Sequence, residues 1–432
     1  MKSKNSNVIG NNKNIILNKI TNLIHEYFKE NEIEFIPGKT KIKVAEPTYN
    51  SEEVANILEC LLSTYVTMGK KVERFEEEFS NYVNVKHSVM VNSGSSANLL
   101  AMKILANQFL KGSAKRNLEV ITPATTWSTT VFPIVDAGFT PVFVDVNMGT
   151  YDISVDECGK ALNNHASGIV VVHLLGNPCD MYKIQKMCSD IFILEDCCEA
   201  IGSEIEGVKV GSFGDVGTYS FYFSHHISTI EGGILVTNKL DIAESARSMR
   251  SFGWTRDVKA LNSKVSKDIS TAFQFENMGY NMRPMDIQAA MGSVQIKKLK
   301  NFLKIRKNNA EYWNKRFKKY DDLFFLPKQR PGTKNSWFCY PLTIKPEAPF
   351  DRNHITQFLE KKGIETRPIM AGNMVEQPVM RTIRYKITGN LSNSRLIMRN
   401  GFFFGDHHKI GSLEREYIAD SIDEFISINV KN

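Results

Sequence analysis

Residues 191–196 read IFILED. Four apolar residues end in two carboxylates, which is typical of a buried strand with polar groups at its carboxyl end. Comparable apolar runs lie on both sides, and helical stretches such as 96–109 and 181–188 separate most of them. Strands that alternate with helices predict an α/β fold with a mainly parallel sheet covered on both faces. The other runs are 120–121, 142–146, 169–173, 217–221 and 234–237.

The character of the sequence divides the 432 residues into three segments. Residues 1–50 place apolar side chains at helical spacing and continue as an extended arm with two prolines. Residues 51–300 carry the alternating pattern, and residues 301–432 combine charged helices with a strand at 337–344. We therefore predict an N-terminal helix and arm, a large domain, and a smaller C-terminal α+β domain.

Composition excludes several classes of protein. Hydrophobic residues make up 42% and charged residues 23%, an ordinary globular balance. No apolar run approaches the roughly 20 residues that span a bilayer, and the polar N-terminus lacks a signal core, so a cytoplasmic protein is expected. The net charge of +7 is spread along the chain, which does not predict a nucleic-acid partner. The seven cysteines form no CxxC pair, so we expect free thiols and neither a metal site nor disulfides.

The first motif with chemical meaning is NSGSSAN at 92–98, directly before an apolar helix. A small-residue turn at a helix N-terminus exposes backbone N–H groups at the positive end of the helix dipole, where a phosphate can bind. The alternative is a plain serine N-cap. Taken alone, this motif favours the N-cap.

The second motif is the carboxylate of Asp196 at the end of the apolar run. Ligands of open α/β sheets bind at the carboxyl ends of strands, and a buried carboxylate needs a partner. A protonated pyridine nitrogen is such a partner, because holding it protonated makes the ring an electron sink. Capping of the following helix explains an aspartate here equally well.

The third motif is GTYSFYFSHH at 217–226, followed by EGG at 231–233. A strand runs into a loop with two histidines, and imidazole suits proton transfer near neutral pH. The alternatives are a structural histidine, slightly favoured on this motif alone, and a metal ligand, which the absence of nearby His or Cys at ligand spacing disfavours. A fourth motif, GYNMRP at 279–284, would by itself be a turn that opens a helix.

In this order and spacing, the four motifs resemble the DegT/StrS sugar-nucleotide aminotransferases, vitamin B6 enzymes of the aspartate aminotransferase fold (fold type I). The resemblance covers about residue 50 to the C-terminus. It implies a large cofactor-binding domain with a mainly parallel sheet and a smaller C-terminal domain. It also implies a homodimer with shared active sites. The implied cofactor contacts are Gly94, Ser95 and Ser220 at the phosphate, Trp127 over the ring, Asp196 at the pyridine nitrogen, and Asn281 reaching the phosphate of the neighbouring subunit.

The sequence departs from the aminotransferases at His225. There the family carries the lysine that binds the cofactor covalently, and the nearest lysines, Lys209 and Lys239, lie outside the loop. The histidine resembles that of the 3-dehydratases of 3,6-dideoxysugar pathways. This resemblance implies non-covalent pyridoxamine 5′-phosphate (PMP), interconverting with pyridoxal 5′-phosphate (PLP), and His225 as the catalytic base. The implied reaction removes the 3-hydroxyl of a nucleotide-linked 4-keto-6-deoxy sugar.

Two kinds of these dehydratases differ in their cysteines. One kind carries a [2Fe–2S] cluster on four cysteines in the region that matches 252–275, but this chain has no cysteine between Cys198 and Cys339. The resemblance therefore implies the kind without an iron–sulfur cluster, in which L-glutamate regenerates PMP. Arg256 and Arg367 are predicted to meet the nucleotide diphosphate. Two alternatives are an aminotransferase that uses another lysine and a catalytically silent, cofactor-binding regulator.

Overall fold

The computed structural model describes residues 2–31, 34–110, 118–255, 258, 270 and 273–430; Arg256 lies outside them. The helices are α1 (Lys2–Glu30), α2 (Ser51–Ser63), α3 (Lys70–Val83), α4 (Gly94–Leu110), α5 (Ser128–Asp136), α6 (Val155–Ala161), α7 (Met181–Met187), α8 (Leu240–Met249), α9 (Asp286–Phe317), α10 (Arg352–Lys361), α11 (Ser392–Asn400) and α12 (Ser412–Asn429). The strands are β1 (His87–Val91), β2 (Glu119–Pro123), β3 (Thr140–Val144), β4 (Ala166–Val172), β5 (Phe192–Asp196), β6 (Glu204–Ile205), β7 (Val208–Lys209), β8 (Val216–Ser220), β9 (Gly233–Thr237), β10 (Phe324–Phe325), β11 (Thr333–Lys334), β12 (Cys339–Ile344), β13 (Thr366–Pro368), β14 (Lys386–Ile387) and β15 (Gly401–Gly405).

An eight-stranded sheet has the order β1-β9-β8-β5-β4-β2-β3-β14. Only β9 runs antiparallel to its two neighbours within this sheet, so the predicted mainly parallel sheet is confirmed. The six apolar runs predicted as strands coincide with β2, β3, β4, β5, β8 and β9. The carboxyl ends of the parallel strands therefore meet at one edge, which carries Asp196 and Ser220.

Both faces of this sheet are covered, as the apolar runs indicate. Neighbouring residues of a strand point to opposite faces: Ile193 packs with α3, α7 and α9, whereas Leu194 packs with α4 and α8. The burial of alternate apolar residues in two separate clusters explains why β5 is apolar along most of its length.

A second, antiparallel sheet has the order β10-β12-β15-β13. Helices α9, α10 and α12 pack against it through a cluster that includes Trp313 and Phe425, and Ile42 of the N-terminal arm joins this cluster and bridges to Ile364. Helix α9 continues across positions 300 and 301, and β14 adds a strand from the C-terminal segment to the large sheet. The domain limits therefore stay a prediction. Among the described residues, no helix is long and apolar enough to cross a membrane.

Arg306 of α9 joins segments that are distant in sequence. Its Nη1 donates to the carbonyl oxygens of Trp337 (2.9 Å) and Phe338 (2.8 Å) and to that of Asp406. The side chain is buried, and burial lowers its pKa to about 10. It thus fixes the start of β12 and the chain after β15 against the long helix.

We expect Arg306→Met to lower the free energy of unfolding by about 3–5 kcal/mol, because buried carbonyl groups lose a charged donor and Asp406 loses a neighbouring cation. Urea unfolding would measure this change. The control is Lys307→Met on the same helix, where a side chain that is 64% exposed forms only a surface ion pair, worth about 0–1 kcal/mol. Equal stability of the two variants would contradict the structural role of Arg306.

Candidate active site

The candidate site lies where β5 and β8 end and α4 begins. Asp196 pairs in register with Thr218, so Ser220 extends two residues beyond it along the same edge. A Cβ atom on Gly94 would lie 2.5 Å from Cβ of Ser220 and 3.1 Å from Sγ of Cys198. Only a glycine therefore lets the start of α4 approach β8 this closely, and the structure brings Gly94, Ser220 and Asp196 together.

The first turn of α4 combines a serine cap with an exposed helix N-terminus. Ser93 accepts a hydrogen bond from the backbone N–H of Ser96 at 3.1 Å, so the N-cap interpretation of this motif holds. Ser95 is exposed, and its hydroxyl donates to Oγ1 of Thr129 at 3.0 Å. The turn still presents the positive end of the helix dipole beside Ser220, which suits a phosphate.

Asp196 is buried, and its carboxylate is held by three donors. Oδ2 accepts from Nδ2 of Asn98 at 2.8 Å and from Oγ1 of Thr130 at 2.7 Å. Oδ1 accepts from the backbone N–H of Cys198 at 3.1 Å. These charge-assisted hydrogen bonds stabilise the ionised carboxylate, the form that pairs with a protonated ring nitrogen.

His225 lies in the loop after β8, with its ring against two aromatic side chains. Ring centroids are 6.0 Å from Tyr222 and 5.2 Å from Phe338, both edge-on. Nδ1 of His225 is buried and has no hydrogen-bond partner among the described residues. Burial, and secondarily the charge of Arg306, lowers the pKa of His225 to about 3. The imidazole is therefore neutral near pH 7.

His226 differs from its neighbour. It is fully buried, and its Nε2 donates to the carbonyl oxygen of Ser336 at 3.0 Å. Its Nδ1 is also unpaired within the described part of the chain, and burial lowers its pKa well below the usual value. The bond to Ser336 connects the histidine loop to the chain before β12, which favours a structural role for His226.

Trp127 and Asn281 lie at the margins of the site. Trp127 precedes α5 and is 56% exposed. Asn281 is exposed, accepts from Nε of Arg283 at 3.1 Å, and lines a cavity of 1280 Å³. Of the described residues, neither Asp196 nor His225 lines that cavity, although the carbonyl oxygen of the next residue, Met282, accepts from the N–H of Asn92 in the NSGSSAN motif.

Arg367 is the predicted substrate residue that can be located. It lies on the edge strand β13, with Nη2 2.5 Å from Oε1 of Glu365 and Nη1 donating to the carbonyl oxygen of Thr366 at 2.8 Å. Its side chain is half exposed. These local contacts do not bring it to Asp196, and its role stays a prediction.

The structure adds Glu199 to the candidate site. It accepts from the backbone N–H of Leu175 at 2.9 Å, and Leu175 in turn accepts from the N–H of Phe338, which packs on His225. Burial, reinforced by the charge of Asp196, raises the pKa of Glu199 to about 8. Glu199 lies three residues after Asp196, so the sequence could have suggested that it belongs to the same site. Nothing in the sequence near His225 indicated that Phe338 packs on its ring.

His173, Glu195 and Cys197 form a buried cluster with the spacing of a metal site. Their polar groups are already used. Glu195 accepts from the N–H groups of residues 211, 213 and 214 and from Nε2 of His173, whose Nδ1 accepts from the N–H of Cys179. The cluster therefore anchors the turn before β8.

A helix N-terminus and a buried carboxylate thus meet at one sheet edge, and the loop that carries His225 continues from Ser220 at that edge. The close approach that Gly94 permits leaves the helix start facing Ser220. This donor set fits a ligand that carries both a phosphate and a protonated aromatic nitrogen, as PMP and PLP do.

Known proteins match this chain over most of its length. A sequence model of the DegT/DnrJ/EryC1/StrS aminotransferase family matches residues 47–423. The GDP-4-keto-6-deoxy-D-mannose 3-dehydratase of Yersinia pseudotuberculosis is 36% identical over 373 residues, which are 84% of this chain and 93% of the relative. The solved Escherichia coli GDP-4-keto-6-deoxy-D-mannose-3-dehydratase with bound hydrated PLP has a TM-score of 0.83 at 33% identity and covers 88% of this chain and 99% of its own. A GDP-4-keto-6-deoxymannose-3-dehydratase with a trapped PLP-glutamate geminal diamine has the same TM-score and coverage at 34% identity.

We expect Gly94→Ala to weaken PMP binding by at least about 10-fold, because the added methyl group collides with Cβ of Ser220, which is fixed to the strand backbone. Equilibrium dialysis with PMP measures this change. Gly159→Ala in α6 is the matched control, since its methyl group would meet only Sδ of Met187 at 3.7 Å. Unchanged PMP affinity in Gly94→Ala would remove this turn from the phosphate site.

Proposed function

The chain belongs to the DegT/DnrJ/EryC1/StrS aminotransferase family, and we propose that it is a PMP-dependent 3-dehydratase that removes the 3-hydroxyl of a nucleotide-linked 4-keto-6-deoxyhexose. One observation carries the proposal. His225 replaces the lysine of the family's aminotransferases, in the loop that follows Ser220 at the end of β8. The matching 3-dehydratases favour this reaction over that of an aminotransferase. Since two of them act on GDP-4-keto-6-deoxy-D-mannose by name, that GDP sugar is the first substrate to test.

PMP and PLP are the cofactors that the site fits. The N-terminus of α4 at Gly94 and Ser95, together with the hydroxyl of Ser220, would hold the phosphate. Asp196 would hold the pyridine nitrogen, and Trp127 would cover the ring. When bound, the pyridine ring supplies an electron sink for the negative charge that develops as bonds break.

His225 would act as the catalytic base. Its imidazole would accept a proton, and the same ring would return a proton to the departing 3-hydroxyl, which leaves as water. Tyr222 and Phe338 orient the ring by edge-on packing. Because burial keeps the pKa of His225 low, ordinary acidity near pH 6 does not remove the base.

L-Glutamate would restore PMP after each turnover. A structurally similar 3-dehydratase contains a trapped PLP-glutamate geminal diamine, which supports this amino donor. The lack of any cysteine between Cys198 and Cys339 supports a cycle without an iron–sulfur cluster. The absence of the cluster itself stays a prediction. A cytoplasmic location is also proposed, since the seven cysteines are free thiols.

We further propose a homodimer in which Asn281 reaches the phosphate of the partner's site. The location of Asn281 in a cavity apart from Asp196 supports this arrangement. Large apolar side chains are exposed beside the site and near Asn281: Trp127 is 56% exposed, Met278 89% and Met285 43%. Such side chains favour burial in an interface. Arg256 and Arg367 remain the proposed contacts to the nucleotide diphosphate.

Incubation with PMP, L-glutamate and GDP-4-keto-6-deoxy-D-mannose should yield a product that mass spectrometry identifies as the 3-deoxy sugar. His225→Asn should keep PMP binding but lower the rate by about 10²–10⁴-fold, because the base is lost. His226→Asn should lose much less activity and more thermal stability, because it disrupts the bond to Ser336.

Parallel assays with CDP- and dTDP-linked 4-keto-6-deoxy sugars show which nucleotide the enzyme prefers.

Wild-type turnover in His225→Asn would exclude His225 as the base. Equal activity loss in His225→Asn and His226→Asn would assign both histidines to the structure of the loop. A product that carries a new amino group would favour the aminotransferase instead.

A separate test concerns the bond between cofactor and protein. Because a histidine at position 225 cannot form a Schiff base, dialysis should remove PLP, and borohydride should leave no cofactor on the protein. His225→Lys should restore a borohydride-fixed adduct at that position, which peptide mass spectrometry detects, and should block dehydration. A fixed adduct on any lysine of the wild-type protein would contradict non-covalent binding.

A further inference from the structure

Three polar side chains around Asp196 come from three different elements. Asn98 lies in the first turns of α4, Thr130 in the first turn of α5, and Thr218 on β8. Each is buried, with an exposed fraction of 3% or less. Buried polar groups of this kind carry a cost unless their hydrogen bonds are made, so their arrangement is informative.

The orientation of the Asn98 amide is fixed on both sides. Oδ1 of Asn98 accepts from the hydroxyl of Thr218 at 2.5 Å, while Nδ2 donates to Oδ2 of Asp196 at 2.8 Å and to the carbonyl oxygen of Thr129 at 3.4 Å. Since a carbonyl group can only accept, Thr129 requires the NH₂ group on that side. The NH₂ group therefore faces Asp196 and Thr129, and the hydroxyl of Thr218 holds the opposite end of the amide.

The two carboxylate oxygens of Asp196 differ in how many of their lone pairs accept hydrogen bonds from the protein. A carboxylate oxygen has two lone pairs. Those of Oδ2 are taken by Asn98 and Thr130. Within the described residues, Oδ1 accepts from one N–H group, the backbone of Cys198. The Cys198 thiol also interacts with the carboxylate, but a thiol is a weak donor, so a charged ligand can take the remaining lone pair of Oδ1.

We propose that Asn98 and Thr130 are positioning residues that occupy Oδ2 of Asp196 and reserve Oδ1 for the pyridine nitrogen of the cofactor, and that Thr218 positions the Asn98 amide. This inference rests on the proposed function. The same bonds tie α4, which carries the phosphate turn, and α5, which begins beside Trp127, to β5 and β8. The phosphate cradle, the ring cover and the nitrogen partner are thereby held in one geometry.

The network has a chemical consequence beyond rigidity. The donors from Asn98 and Thr130 stabilise the charged carboxylate, and a charged carboxylate keeps the pyridine nitrogen protonated. Without them the carboxylate has a higher proton affinity, so the proton shared with the ring nitrogen shifts toward Oδ1 and the nitrogen is less protonated at a given pH. A residue that merely supported packing would not shift this protonation.

The test uses PMP labelled with ¹⁵N in the pyridine ring and follows its chemical shift against pH in the protein-bound state. In Asn98→Leu, Thr130→Val and Thr218→Val, we expect the nitrogen signal at a given pH to move toward that of a neutral pyridine. PMP affinity, measured by equilibrium dialysis, should fall by about 10-fold or more in the first two variants, since each removes a charge-assisted hydrogen bond. Thr218→Val should have a smaller effect, because it removes only the orienting bond.

Two further variants separate this role from simple packing. Thr130→Ser keeps the hydroxyl and should restore both readouts. Thr122→Val makes the same change at a buried threonine of β2 whose hydroxyl has no partner among the described residues, and it should leave both readouts unchanged. Melting temperatures without PMP report whether each variant is folded.

The outcomes distinguish this inference from the proposed function. If the wild-type protein does not bind PMP, the proposed function fails and the positioning role fails with it. If the wild-type protein binds PMP, but Asn98→Leu and Thr130→Val match its affinity and its pH dependence, the positioning role alone is overturned. Failure of Thr130→Ser to recover either readout would likewise overturn it.

Discussion

The guanidinium group of Arg306 is the constraint that connects the two halves of the molecule. Helix α9 packs against the large sheet through Leu299 and against the small sheet through Trp313, and Arg306 lies between these contacts. Because its Nη1 holds the carbonyl oxygens of Trp337 and Phe338, the segment that touches both histidines has a fixed distance from the helix. The environment of the proposed base is thus set by residues more than a hundred positions further along the chain.

The adjacent carboxylates of Glu195 and Asp196 show how one strand end serves two purposes. Successive side chains of a strand point to opposite faces. Glu195 consequently meets the backbone N–H groups of the turn before β8, while Asp196 meets donors from α4 and α5. The first carboxylate positions the strand that leads to Ser220 and His225, and the second is the proposed partner of the cofactor.

The sequence predicted most strands of the large sheet because they are continuous apolar runs. Such a run can be recognised from its own residues, without knowing which elements pack beside it. The sequence did not reveal the two outer strands. Strand β1 begins with the polar residues His87 and Ser88, and the two residues of β14, one of them Lys386, carry no periodic signal. The family resemblance identified Asp196 and His225 as candidates for one site. The function of Asn98 was hidden although the motif was recognised, because it depends on Thr130 and Thr218, which meet Asn98 only after folding. The contact between Phe338 and His225 was hidden for the same reason. Arg367 was assigned to the nucleotide diphosphate, but its side chain pairs with Glu365, two residues away.

The parallel pairing of β14 with β3 has a consequence for synthesis of the chain on the ribosome. Residues 140–144 emerge long before residues 386–387, so β3 is the open edge of a nascent sheet during that interval. Unpaired edges recruit other chains and lead to aggregation. Pro141 lies within this strand and has no N–H to offer, which makes the edge a poor template for an intruding strand until the native partner arrives.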